Sequence, residues 1–367
     1  MKLPNKRKND QPTSPASLFS KITKLTVQEK FSREHIQNPN YDERTLSLLT
    51  SLWPDKEDAA LLQEMLNSEP EQLSIHPGAK GREDLLAKRE IIWQEIGPDI
   101  RLVNRYMGEF LKDEFGITNP REPLPQNRIA ITEKKSRGHL ATYDPVFDYT
   151  TLGYSEKEKS ESIFFNYAHE EFHRQDKSET KLDVDKDGSK ITRLINANGA
   201  QIYIYKGETD ENGKWQSDPK SEYTAVINEA FTEMETQAFM SYVLGKDPKI
   251  LSGRRPNFAY ADGIQICHKI MHITSMDSGA LSQSDIFKEL VRLKIEGHFG
   301  KFYQKLFSSF NQQEKKYLIH LLNLLATTPE FNPKTGRANE VYDAFLRSVN
   351  QLLSGKAEEK RSKTLST

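Results

Sequence analysis

Five residues, His169-Glu170-Glu171-Phe172-His173, constrain this chain more than any other stretch. Four-residue spacing on a helix sets two imidazoles on one face, one turn apart, and two neutral imidazoles so placed can grip one zinc ion. Glu170 stands beside the first imidazole and can reach a water activated by the metal, which makes it the natural general base for a hydrolysis. The pattern arises by chance only about 0.02 times in a chain of this length and histidine content. The bland alternative is a surface helix with two solvated histidines. Against it stand Ile163, Phe164, Phe165, Tyr167 and Ala168 immediately upstream, which predict a buried helix where an unpaired imidazole would be costly. Ser155 and Glu158 form an S-x-x-E capping box that is predicted to start this helix.

A chain of 367 residues can bury a large core and ordinarily divides into two lobes, or one domain with additions. Lys and Arg total 52 against 53 Asp and Glu, so no overall basic field draws nucleic acid or an anionic membrane. The single cysteine, Cys267, cannot close an internal disulfide, and a cytoplasmic setting is expected. No run of eighteen apolar residues is present, so no membrane span is expected. Residues 1–20 begin with positive charge but lack the apolar middle of a signal peptide, and they read as a disordered tail in which Lys6, Arg7 and Lys8 are solvated.

Residues 21–118 read as a helical lobe. Its apolar stripes run through Leu46, Leu48, Leu49, Leu52 and Trp53, then Ala59, Leu61, Leu62 and Met65, and then a long segment predicted to break at Gly97-Pro98. Pro120, Pro123 and Pro125 mark a linker or extended crossing. Arg128 to Thr132 and Thr142 to Leu152 have strand composition, and they would supply an edge along which a peptide substrate adds as a further strand. Beyond His173, Asp187-Gly188, Asn198-Gly199 and Asn212-Gly213 are hairpin signals, so residues 181–216 read as an inserted β-meander. Asp183, Asp185, Asp187 and Gly188 imitate the start of a calcium loop. The twelfth position falls on Leu194 instead of a bidentate Glu, and a hairpin turn is preferred.

A catalytic zinc needs a third protein ligand and an open position. The metzincin solution would place Gly at 176 and His at 179, where this chain has Asp176 and Glu179. Farther on, Glu229 and Glu233 share one face of a predicted helix from Ala225 to Phe239. His169-Glu170-x-x-His173 followed by Asn228-Glu229-Ala230-x-x-Glu233 resembles the gluzincin zinc metallopeptidases, the thermolysin-like clan, over roughly residues 150–240. The resemblance implies His169, His173 and Glu229 as zinc ligands, Glu170 as general base and Glu233 as the carboxylate that orients a ligand imidazole. This chain departs from the pattern in the long segment between the motifs and in having no identifiable downstream histidine for the oxyanion. Tyr223 and Tyr260 are the candidates for that role, ahead of Arg254, Arg255, His268 and His272. Cys267-His268 with His272 is a rival metal pair on a predicted helix, but it lacks an adjacent Glu and an acidic partner helix, and amphipathic packing is preferred.

Residues 281–353 read as a helical C-terminal part. Ser284 is expected to cap one helix and Asn311 with Glu314 the next, and a polar disordered tail is expected over 354–367. The fold expected is α+β: a zincin-like catalytic domain over 119–280, with a mixed sheet, the HExxH helix, the glutamate helix and the meander, flanked by the two helical lobes. The expected activity is zinc-dependent hydrolysis of a peptide or protein substrate. A non-catalytic zinc-binding scaffold or inactive protease-like protein is the alternative. A secreted toxin-like protease acting on a host protein is a third reading.

Overall fold

The structure is a computed structural model that describes Leu49 and residues 56–133, 141–155, 163–184, 191–209, 215–217, 221–248, 260–278, 281–330 and 338–364. In chain order its elements are α1 (Lys56–Leu66), β1 (Ser74–Ile75), α2 (Arg82–Ala87), α3 (Arg89–Phe115), β2 (Ile129–Glu133), β3 (Ala141–Asp144), β4 (Tyr149–Tyr154) and α4 (Ile163–Gln175). The second half adds β5 (Ser178–Val184), β6 (Ile191–Asn198), β7 (Gln201–Thr209), β8 (Trp215–Ser217), β9 (Ser221–Tyr223), α5 (Ala225–Lys246) and α6 (Ala261–Ser278). It ends with α7 (Gln283–Ile295), α8 (Phe299–Leu306), α9 (Gln312–Thr327) and α10 (Glu340–Thr364). The chain is therefore α+β. Among the described residues no helix is long and apolar enough to cross a membrane.

The first sheet has the order β1-β2-β4-β3, with β1, β2 and β4 parallel and β3 antiparallel to β4. It is a mixed sheet, as expected, but two of its strands differ from the sequence reading. Thr142 to Leu152 is a hairpin instead of one strand. Asp144 Oδ1 accepts from the backbone N–H of Val146 at 2.8 Å and of Phe147 at 3.0 Å, and Asp148 adopts φ 52°, so the chain reverses there. The second difference is β1, which comes from the stretch read as purely helical. Leu73 and Ile75 share one buried apolar cluster with Ile131 and Leu152, so the N-terminal helices and the sheet have a common core.

Gly97 and Pro98 do not interrupt α3. Ile92, Ile96, Ile100, Val103, Met107 and Phe110 carry one buried stripe across them, and Pro98 lies on the exposed face, where burial of the stripe outweighs one missing backbone hydrogen bond.

The second sheet is antiparallel, in the order β5-β6-β7-β8, and β9 also pairs with β7. The meander thus extends beyond the predicted 181–216, from Ser178 to Tyr223. It leaves directly from the end of α4 and returns directly into the start of α5. The Gly199-Ala200 turn joins β6 to β7, while Asp187-Gly188 and Asn212-Gly213 lie outside the described residues.

Ser282, not Ser284, caps α7, because Ser282 Oγ accepts from Asp285 N and the Asp285 carboxylate accepts from Ser282 N. Asn311 and Glu314 form the expected capping box of α9. The polar tail expected from 354 is instead helical to Thr364. Leu353 is buried against the core, and Lys356 pairs with Glu314 at 3.1 Å and with Glu359 at 3.0 Å, which anchors the last turns. The tail expected over 1–20 and Glu158 of the predicted capping box lie outside the described residues.

Candidate metal centre

Two faces of α4 do different work. Phe164, Tyr167, Ala168 and Phe172 recur at helical spacing and are fully buried. Phe172 meets Phe110 of α3 edge-on at 5.9 Å between ring centroids and Phe239 of α5 at 6.0 Å, and the Tyr167 hydroxyl donates to Asn104 Oδ1 at 3.1 Å. The end of the helix is pinned as well. Arg174 makes a buried two-point contact with Glu171, at 2.8 and 2.6 Å, and donates to the Glu122 carbonyl at 2.6 Å. Gln175 Oε1 accepts from the Arg121 N–H at 2.8 Å, so the proline-rich crossing is tied to α4. Together these contacts fix the rotation of α4 about its axis, and that rotation turns His169 and His173 toward α5.

There they meet Glu229. Its Oε2 lies 3.3 Å from His169 Nε2 and 3.4 Å from His173 Nε2, although His169 and Glu229 are 60 positions apart in the chain. The three ligand atoms all lie within 4.8 Å of one another. A tetrahedral zinc with bonds of about 2.0–2.1 Å sets its ligands roughly 3.3–3.4 Å apart, so both imidazole-to-carboxylate separations fit the ion. The ring nitrogens facing away also have partners. His169 Nδ1 is 3.2 Å from Glu233 Oε2, and His173 Nδ1 is 3.3 Å from Asn228 Nδ2 and 3.4 Å from Thr232 Oγ1. Asn228 is held in turn by the meander, since its Oδ1 accepts from the Ala200 N–H at 2.9 Å.

The electrostatics follow from enclosing these groups together. Burial opposes the charge on His169, but hydrogen bonds to Glu229 and Glu233, with Glu170 nearby, raise it to about 10. Burial also acts to raise Glu229, yet His173 and His169 hold its carboxyl well below the usual carboxylate range. Glu170 goes the other way. Burial pushes it up, against the pull of His169 and His173 and of a hydrogen bond with the Tyr143 backbone N–H. That last contact joins the carboxylate of α4 to strand β3.

The oxyanion candidates separate in space. Tyr260 begins α6 at φ 60°, its ring stacks on His169 at 6.1 Å, and its hydroxyl is in hydrogen-bonding reach of Glu229. The residue as a whole is 40% exposed, but desolvation of its hydroxyl end and the carboxylates of Glu229, Glu170 and Glu233 push this phenol well up, so it stays a donor. Tyr223 lies in β9, paired with Ile202, its side chain outside the described residues, as are Arg254 and Arg255 altogether. His268 and His272 are exposed on α6, with His268 Nδ1 bonded to Gln283, Cys267 is buried, and among the described residues no third ligand joins this rival pair.

The sequence reading missed Thr232 and Lys294 near His173, and it weighed Asp176 only as a missing glycine. One signal was available for Lys294: it falls on the apolar stripe of α7 between Val291 and Ile295, where a charge is out of place. Compared with protein-family models, with curated proteins and with solved structures, the chain matches none of them, so the convergence of His169, His173 and Glu229 stands on its own geometry.

Proposed function

We propose that this chain is a zinc-dependent peptidase of zincin-like architecture, similar to the gluzincins. The observation that carries the reading is the meeting of His169, His173 and Glu229 with Glu170 on the same turn of α4. His169, His173 and Glu229 would hold the metal, and Glu233 orients His169. When bound, zinc supplies Lewis acidity toward a carbonyl oxygen and makes water a nucleophile near neutral pH. Glu170 accepts the proton of the attacking water and passes it to the leaving amine, a task for which a carboxyl raised by burial is suited. Tyr260 donates to the oxyanion that develops on the scissile carbonyl. Among the described strands β3 is one of the two edges of its sheet, the one next to α4, and a peptide added antiparallel to it would pass over Glu170.

The test is metal content together with cleavage of a broad peptide mixture. Stoichiometric zinc and metal-dependent cleavage are expected. A protein that binds no zinc sinks the reading, and one that binds zinc but cleaves nothing is the scaffold. Glu229→Ala is expected to weaken zinc binding by more than about 100-fold, beyond the loss of an outer partner, as measured by chelator competition. Tyr260→Phe is expected to keep zinc and KM while kcat falls about 100-fold, as steady-state kinetics on a cleaved peptide would show.

A further inference from the structure

Behind His173, three ionisable side chains are wholly enclosed. Lys294 of α7, Asp176 at the end of α4 and Glu235 of α5 are each 0% exposed. Lys294 Nζ lies 2.9 Å from Asp176 Oδ2 and 3.1 Å from Glu235 Oε1. Such a group is costly to bury, and an apolar residue on the α7 stripe would pack α4, α5 and α7 together as well or better. Stability alone therefore gives a weak reason for a lysine here. Its remaining contact is specific. Lys294 Nζ donates to Thr232 Oγ1 at 3.1 Å, and Thr232 Oγ1 faces His173 Nδ1 at 3.4 Å.

To offer Nε2 to a metal, His173 must carry its proton on Nδ1, and that N–H needs an acceptor. Asn228 cannot serve. Its Oδ1 is taken up by the Ala200 N–H, which leaves the amide nitrogen, a donor, turned toward the ring. Thr232 Oγ1 can serve, provided a lone pair and not its hydrogen points at the ring. The ammonium, which can only donate, fixes the hydroxyl from the other side.

We propose that Lys294 is a positioning residue for His173: clamped by Asp176 and Glu235, it orients Thr232 Oγ1 to accept the His173 Nδ1–H and so leaves Nε2 for the metal. This rests on the peptidase reading only as far as metal binding by His173.

Zinc affinity of the full chain, measured by competition with a chromogenic chelator, tests it without reference to activity. Thr232→Val and Lys294→Met are each expected to weaken zinc about 10-fold, with Thr232→Ser restoring wild-type affinity. Because Lys294 acts through Thr232, adding Lys294→Met to Thr232→Val is expected to bring no further loss. Folding is checked by circular dichroism. Should Lys294→Met not fold, Lys294→Met with Asp176→Asn and Glu235→Gln removes all three charges together and takes its place in the same cycle, with the same losses expected. Wild-type affinity in the folded variants, or losses that multiply in the combined variant, overturns the proposal while the metal reading stands. A wild-type chain that binds no zinc overturns both.

Discussion

Replacing Glu170 with Gln is expected to leave zinc in place and to lower kcat/KM by about 1,000-fold, within the range that general acid–base groups contribute. The two halves of this outcome have separate causes. Zinc stays because the Glu170 carboxyl is not among the three converging ligand atoms, and glutamine has the same shape. The amide oxygen also keeps the contact with the Tyr143 backbone N–H, so α4 and β3 hold their relation. Hydrolysis is lost because an amide cannot take the proton from water or return it to the amine. Zinc stoichiometry and single-turnover cleavage, measured on the same preparation, check both halves. Unchanged turnover would remove Glu170 from the mechanism, and lost zinc would mean that the carboxylate holds the centre together in a way its geometry does not show.

The parts of this site legible in the sequence are those that helical periodicity places. His169 and His173 share a face because they are four apart, and so do Glu229 and Glu233; no long-range information is needed for either pair. That the two helices meet is a tertiary fact. It depends on a meander that leaves α4 at Ser178 and delivers the chain to α5 after Tyr223, and hairpin signals announced the strands without saying where they return. β1 was illegible for a different reason: with two residues, Ser74 and Ile75, it shows no period, and only pairing with Ala130 and Ile131 makes it a strand. Pro98 misled because the rule that proline stops a helix is local, while the buried stripe from Ile92 to Phe110 spans it. Lys294, Asp176 and Thr232 come from three elements, and no spacing links them. What a sequence can show of such a cluster is one charged residue in an apolar stripe.

The same reasoning singles out Gly199, where Gly199→Ala is expected to destabilise the protein by about 2–5 kcal/mol, an αL penalty of roughly 1–2 plus overpacking of roughly 1–3. Gly199 has φ 57°, and an added Cβ would run into Asp176 Oδ2 and stand 2.9 Å from Asn228 Oδ1. Neither neighbour can yield cheaply. Asp176 is paired with the buried Lys294, and Asn228 accepts from the very next residue, Ala200, whose carbonyl in turn accepts from Thr224 and Tyr303 at 2.6 Å each. Gly116 supplies the control. It has φ 70° and nothing within 4 Å of an added Cβ, so Gly116→Ala should cost only the conformational part, about 1–2 kcal/mol. Urea midpoints at constant slope measure both, and the excess at Gly199 reports how tightly the meander turn is wedged against Asp176 and Asn228. Equal costs at the two glycines would show that the turn leaves room there, and the wedging of the meander turn against Asp176 and Asn228 would have to be given up.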